Sequence, residues 1–319
     1  MDNILEVENL KVYYKGVAGE YRAVDGVTFE VRKKEVFGIA GESGCGKSTL
    51  VEGVLRIIKP PGYIAGGKVT FDGIDLLSLK AEELRKIRWK KMSYVPQGSM
   101  NSLNPILRVK DQIVDAITTN SEISKKEAEN QIPTLLETVG LAKDVSEMYP
   151  HELSGGMKQR VIIAAATALK PDLIVADEPV TALDLVVQRG ILQTIAELRD
   201  RNDVAILFVA HDMAVHAELV DRLAIMYAGL IMEIGPVVDV FKDPLNPYTK
   251  LLIEAIPSIT KKSIKGIPGI SPSLFNWPAG CRFHPRCPFA KDVCRAELPK
   301  LRNMGKDRFV ACHLAGDLK

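Results

Sequence analysis

The sequence predicts an α/β fold: a parallel-sheet core, a helical insertion within it and a small irregular C-terminal extension. Three observations lead there. Strand and helix signals alternate from residue 4 to about 95 and again from about 155 to about 235, the rhythm of strand–helix–strand units. Between them, from about 98 to about 155, the pattern turns mostly helical. Farther on, Pro244, Pro247, Pro268, Pro272 and Pro278 interrupt regular structure, and four of the five cysteines crowd into the same stretch. No internal repeat divides the 319 residues, so they read as one core of residues 1–235 and one extension of 236–319.

Taken in order, Ile4 to Val12 forms the first strand, with Tyr14 just beyond it and Tyr21 farther on. Val36 to Ala40 is a short apolar strand that runs into GESGCGKS at 41–48. Gly41, Gly44 and Gly46 allow bends that point consecutive backbone N–H groups of Ser43, Cys45 and their neighbours into a phosphate-sized concavity. Lys47 supplies positive charge for the β- and γ-phosphates, and the Ser48 hydroxyl completes a Mg²⁺ shell. Cys45 acts there as a small residue whose backbone does the binding. Thr49 to Ile58 has helical periodicity and stops before Pro60 and Pro61, so the phosphates sit on a helix N-terminus. This context implies a nucleoside triphosphate and Mg²⁺ as ligands, as in many ATPases and GTPases, and with LSGG at 153–156 and IVADEP at 174–179 the combination points to ATP hydrolysis.

After the helical stretch, Leu153-Ser154-Gly155-Gly156-Met157 precedes an amphipathic helix, Lys158 to Leu169. Ser154, Gly155 and Gly156 thus offer a hydroxyl and exposed N–H groups at a helix start, a second anion site. Leu173 to Ala176 is a strand apolar enough to be buried on both faces, and it ends in Asp177-Glu178-Pro179. The acids emerge at the carboxyl edge of the sheet, where such folds bind ligands. Asp177 suits Mg²⁺, and Glu178 suits the base that polarises an attacking water. A last strand, Val204 to Ala210, leads to His211.

Composition sets bounds on partners. Hydrophobic residues make up 46% of the chain, enough for a sizeable core, and the net charge is +2. From Ser258 onward there are 12 Lys and Arg against 4 Asp and Glu, leaving 30 against 36 before it, so the extension is the basic part. It lacks the dense run of Lys and Arg interleaved with aromatics that grips nucleic acid, and no nucleic-acid partner is expected. No apolar run approaches the roughly 18 residues that cross a bilayer. The charged start MDNILEVENLK is no signal peptide, which places the chain in the cytoplasm with membrane attachment left to partners.

Cys281, Cys287, Cys294 and Cys312 follow one another at spacings of x5, x6 and x17. Two disulfides, a zinc site and an iron–sulfur cluster are the three readings. Disulfides fit poorly with a reducing cytosol. Structural zinc usually brings close C-x2-C pairs, absent here, whereas four thiolates at wider spacing suit a 4Fe-4S group. Four thiolates on an oxidised 4Fe-4S core leave a net charge of about −2, which Arg282, Arg286 and Arg295 beside three of the ligands could offset, but zinc tetrathiolate carries the same charge and arginines on a solvated surface would look identical.

The two anion sites together resemble the ATP-binding-cassette (ABC) ATPases, in which the signature of one subunit closes over ATP held by another. The resemblance implies a RecA-like P-loop core with an inserted helical subdomain at about 98–155. It implies Gln97 as the Q-loop residue that senses γ-phosphate and Mg²⁺, Asp184 of Thr181-Ala182-Leu183-Asp184 as the D-loop residue, and His211 as the switch histidine. Tyr14 is the implied adenine-stacking residue, with Tyr21 as its competitor. NPYT at 246–249, GCRFHPRCPFAKDVC and VACHL resemble the extension of the oligopeptide/dipeptide importer ATPases, and QGSMNSLNP resembles their Q-loop segment. That resemblance covers nearly the whole chain and implies a 4Fe-4S cluster on the four cysteines. LSGGMKQR is similar to the first of the two paired ATPases of such importers; Asn246 and Val180 stand where histidine and threonine are usual. The implied partners are a paralogous ATPase, two transmembrane permease subunits and an extracytoplasmic solute-binding protein, at the cytoplasmic face of the membrane. Peptides, oligosaccharides and nickel are the cargoes of such importers. A soluble cassette ATPase acting on nucleic acid or ribosomes is the alternative, but it usually brings paired cassettes, long coiled coils or a metal module inserted elsewhere.

Overall fold

The computed structural model describes residues 2–17, 19–98, 101–256, 266–273 and 276–316. The chain begins with β1 (Asn3–Gly16), β2 (Gly19–Arg32), β3 (Val36–Ala40), α1 (Lys47–Val54), β4 (Gly62–Phe71) and β5 (Ile74–Asp75). It continues with α2 (Ala81–Ile87), β6 (Met92–Val95), α3 (Val109–Asn120), α4 (Lys125–Thr138), α5 (Gly155–Thr167), β7 (Leu173–Asp177) and α6 (Leu185–Asn202). Then come β8 (Ala205–Val209), α7 (Met213–Leu219), β9 (Arg222–Tyr227), β10 (Leu230–Pro236), α8 (Val237–Lys242) and α9 (Pro247–Glu254). The described tail adds α10 (Asp292–Ala296), β11 (Arg302–Gly305) and β12 (Arg308–Val310). These elements form two compact units, one of Met1–Ile4, Arg32–Val36 and Ser78–Val209, the other of Leu5–Val31, Phe37–Leu77 and Ala210–Lys319.

The first unit is built on parallel strands in the order β6-β7-β8, with Met92 opposite Leu173 and Leu173 opposite Ala205. All residues of β7 and β8 are buried, as their unbroken apolar runs require of strands covered on both faces. α5 buries Val161, Ile162, Ile163, Ala164 and Ala166, and α3 buries Val109, Ile113, Val114 and Ile117 at helical spacing. Ser124 and Glu127 close a capping box at the start of α4.

In the second unit β3 runs parallel to β9, β10 pairs antiparallel with β9, and a smaller sheet has the order β2-β1-β4-β5. The tail is less irregular than its prolines suggest: β12 pairs with β10, Glu233 opposite Val310, and β11 pairs with β12. The hairpin turn between them is made by Lys306 and Asp307 in left-handed backbone. That is the geometry of tight two-residue turns, reached without the Asn-Gly signature that would announce it. The helix after the phosphate loop is α1, Lys47–Val54, which ends earlier than its periodicity suggests. Leu55 caps it and Arg56 turns left-handed at φ 53°, so the expected turn through Ile58 is not helical.

Candidate nucleotide site and cysteine cavity

In the second unit the phosphate loop leaves the fully buried β3 and bends at three glycines. Gly41 and Gly46 have no room for a side chain, since a Cβ would lie 2.1 Å from the Met226 carbonyl oxygen and 2.2 Å from that of Ala23. Gly44 takes φ +77° and is open to solvent. Gly46 is also the N-cap of α1, with no side-chain cap, which leaves the first N–H groups of the helix directed at the concavity. Lys47 is buried and folds over the loop, its Nζ donating to the carbonyls of Gly41 at 2.8 Å and Glu42 at 3.1 Å. Cys45 is buried beneath the loop, and burial, its largest influence, pushes its thiol up. Ser43 is exposed and Ser48 half-buried. The hydroxyl of Tyr14 stands 3.2 Å from Thr49 Oγ1 on α1.

His211 follows β8 in an exposed position. Five residues on, motif reading passed over His216, which is fully buried in α7 with Nε2 3.1 Å from the Ala210 carbonyl. Burial lowers its pKa to about 4, against the effect of the Ala210 hydrogen bond. A side chain at Gly38 would sit 2.7 Å from its Nδ1, so the glycine in β3 makes room for this ring. The neutral imidazole braces the backbone that presents His211.

In the first unit Asp177 is the buried last residue of β7, and Glu178 follows in left-handed backbone at φ 48°. The Glu178 N–H donates to Val209 at 2.8 Å. Gln97 and Glu178, 81 positions apart, meet: Gln97 Nε2 donates to Glu178 Oε2 at 3.0 Å, and Thr181 Oγ1 donates to the same oxygen at 2.9 Å. Ser154 caps α5, its Oγ accepting from the Met157 N–H at 3.3 Å. Gly156 lies against Val187, where a Cβ would come within 2.4 Å of Cγ1. Asp184 caps α6 by accepting from Val186 at 3.1 Å and Val187 at 3.0 Å, which leaves Leu185 and Val186 largely exposed at 77% and 81%. Signature and D-loop thus share one wall of this unit.

The four tail cysteines are free thiols that line one cavity of about 20 Å³ together with Phe283, Ala311 and Leu314. The Cys281 N–H donates to the Cys294 carbonyl at 2.8 Å, and the Leu314 N–H to Cys312 Sγ at 3.3 Å. Burial, and then the nearness of the other thiols, pushes Cys281 up to about 11; Cys287 and Cys312 rise for the same first reason. The donor set fits four-thiolate ligation in number and kind. The arrangement does not form a shell: no group of three or more His, Cys, Asp and Glu among the described residues is placed to hold a metal ion. The cavity has room for about one water molecule.

The arginines correct a sequence expectation. Arg282 is engaged by Asp25 and the Ala228 carbonyl, and Arg286 by Glu42, so two of the three charges expected to offset a cluster answer acids of the core. Asn246, where histidine is usual, is buried. Its amide donates to Met232 at 3.2 Å and Ala311 at 3.1 Å, and its Oδ1 accepts from the Tyr248 N–H at 2.9 Å, tying β10, the tail and α9 together.

Comparison with known proteins gives the family. Residues 24–181 match the family described as "ABC transporter", and residues 232–294 match "Oligopeptide/dipeptide transporter, C-terminal region". The dipeptide transport ATP-binding protein DppD of Caldanaerobacter subterraneus is 41% identical over 98% of this chain and 98% of its own. DppD of Escherichia coli is 38% identical over 97% of this chain and 96% of its own. Among solved structures, an ATP-binding cassette in a dimeric post-hydrolysis state bound to ADP and Pi superposes with a TM-score of 0.66. It is 28% identical and covers 73% of this chain and 98% of its own.

Proposed function

From the premise that this chain belongs to the ABC transporter family, in its oligopeptide/dipeptide branch, we propose that it is the ATP-hydrolysing subunit of an importer for peptides. The observation that carries this is the joint presence, in one chain, of a complete set of cassette motifs and a tail matching the oligopeptide/dipeptide transporter extension.

The residues divide the work. Lys47 and the N–H groups from Ser43 to Thr49 bind the phosphates of ATP, and Tyr14 stacks on its adenine. Glu178 takes the proton of the attacking water, oriented by Gln97 and Thr181, which both donate to its Oε2. His211 hydrogen-bonds the γ-phosphate. Ser48, Gln97 and Asp177 are oxygen donors, the set Mg²⁺ prefers, and the ion when bound neutralises phosphate charge. Ser154, Gly155 and Gly156 serve ATP held by a paralogous ATPase subunit, and Asp184 lies at that interface; the exposed apolar pair Leu185 and Val186 beside it supports a covering partner. Closure of the pair moves two permease subunits that receive cargo from an extracytoplasmic solute-binding protein, with this chain peripheral on the cytoplasmic face.

The finer reading of the tail is a 4Fe-4S group on Cys281, Cys287, Cys294 and Cys312, with zinc as the competing occupant and a structural role for either. Convergence of four free thiols on one cavity supports it. The small cavity means that loading requires the cysteine-bearing segments to move apart. Anaerobic protein with about four iron and four sulfide per chain is the expected result; stoichiometric zinc without iron refutes the cluster.

Gentle purification from native membranes tests the assignment. Two multi-span proteins and a second cassette ATPase are expected to accompany the chain. Recovery with ribosomes or nucleic acid and no membrane protein would refute it.

A further inference from the structure

The second residue of the phosphate loop is an acid, and an acid is poorly placed there. Glu42 lies one residue from the glycine that opens the loop, and its carboxylate opposes the charge that Lys47 brings for the phosphates. The structure shows how it is answered. Arg286, from the turn that separates Cys281 from Cys287, grips Glu42 with both arms of its guanidinium, Nη1 to Oε2 at 2.7 Å and Nη2 to Oε1 at 2.9 Å. Ser271 donates to the same Oε2. The Glu42 backbone N–H donates to the Tyr248 hydroxyl at 3.1 Å, so this residue is turned away from the concavity at both ends.

Arg286 is itself fixed on every side. Its Nε donates to the Pro268 carbonyl at 2.8 Å, and Nη1 also reaches the Tyr227 hydroxyl and Ser271 Oγ, each at 3.2 Å. Its side chain is 6% exposed. Burial works to raise the Glu42 carboxyl, but hydrogen bonds from Arg286 and Ser271 and the charges of Arg286 and Lys47 outweigh it and leave it below the ordinary value. With the arginine present, Glu42, Lys47 and Arg286 carry a net of one positive charge. Without it they carry none.

We propose that Arg286 of the cysteine-bearing tail is a positioning residue for ATP: it neutralises Glu42 and holds the entry of the phosphate loop in its binding conformation. This rests on the reading of residues 41–48 as the ATP site. Removing one full charge beside the phosphates, at the effective dielectric of a protein surface, weakens ATP binding by about tenfold. The pair is self-compensating, so removing both charges restores binding.

The test is a double-mutant cycle in the full chain, read as the Kd for Mg-ATP, together with ATP turnover in the assembled transporter. Arg286→Met is expected to bind about tenfold more weakly, with KM for ATP raised and kcat held. Glu42→Gln is expected to bind about threefold more tightly, and the double variant to return within about twofold of the parent. A merely structural role of Arg286 predicts no rescue. The proposal is overturned if Arg286→Met binds within twofold of the parent, if the double variant stays as weak as the single, or if Glu42→Gln weakens binding. If Arg286→Met does not fold, the double variant decides alone: tight binding supports the proposal and tenfold weakening overturns it. Failure of the parent chain to bind Mg-ATP would instead sink the ATP-site reading.

Discussion

Replacing Glu178 by glutamine separates its chemical role from its structural one. The hydrogen bonds from Gln97 Nε2 at 3.0 Å and Thr181 Oγ1 at 2.9 Å converge on one of its oxygens. Glutamine keeps an acceptor at that position and differs only at the other. These two bonds therefore survive, and the stability change is expected within about 1 kcal/mol. What is lost is a proton acceptor, worth about 10² to 10⁴ in rate, or about 3–5 kcal/mol of barrier. Glu178→Ala would lose the rate equally but also remove the acceptor of both bonds, at a cost of about 0.5–1.5 kcal/mol per bond because water reaches the donors. The assay is single-turnover ATP hydrolysis in the assembled complex, beside Mg-ATP binding and thermal unfolding of the chain. Glu178→Gln should bind ATP normally, melt normally and accumulate the closed pair. Turnover at the parent rate would refute Glu178 as the base; a large drop in melting temperature would refute the local structural account.

Three further perturbations follow. Gly46→Ala places a methyl 2.2 Å from the Ala23 carbonyl at φ +106°, so a titration with Mg-ATP should find binding lost, with stability lowered by at least about 1 kcal/mol. His216 has its pKa depressed from 6.5 to about 4 by burial, so its contribution is complete above pH 6.5 and is lost as pH falls toward 4; denaturant titrations across that window should show about 3 kcal/mol of acid destabilisation that His216→Gln removes. Arg308→Met strips the charge partner from Glu233, which is 0% exposed and among the described residues keeps the N–H groups of Leu245 and Asn246, and should cost about 3–5 kcal/mol in calorimetry.

Some of this molecule was legible in its sequence because particular constraints are local. A phosphate loop needs glycines at fixed offsets between a strand and a helix, and Gly41 and Gly46 show why: carbonyls of Met226 and Ala23 fill the space where side chains would stand. The strand ending at Asp177 and the caps at Ser154 and Asp184 are local in the same sense. The supports of the site are not. Arg286 and Glu42 are 244 positions apart, and Arg282 and Asp25 are 257 apart, so no window of sequence contains both partners. Beside four cysteines, arginines read as counter-charges for a metal group, when burial against core acids is what determines their place. His216 escaped for a different reason: a histidine at an apolar helix position has no motif, and only the missing side chain of Gly38 on a separate strand reveals the space made for it. The pattern is physically expected. Groups that touch a ligand are fixed by the ligand's shape, which repeats in a short motif, whereas groups that hold them are fixed by the fold, where any distant residue of suitable charge and reach can serve. A tail whose arginine braces the phosphate loop is therefore part of the nucleotide site, although nothing within the tail's own sequence says so.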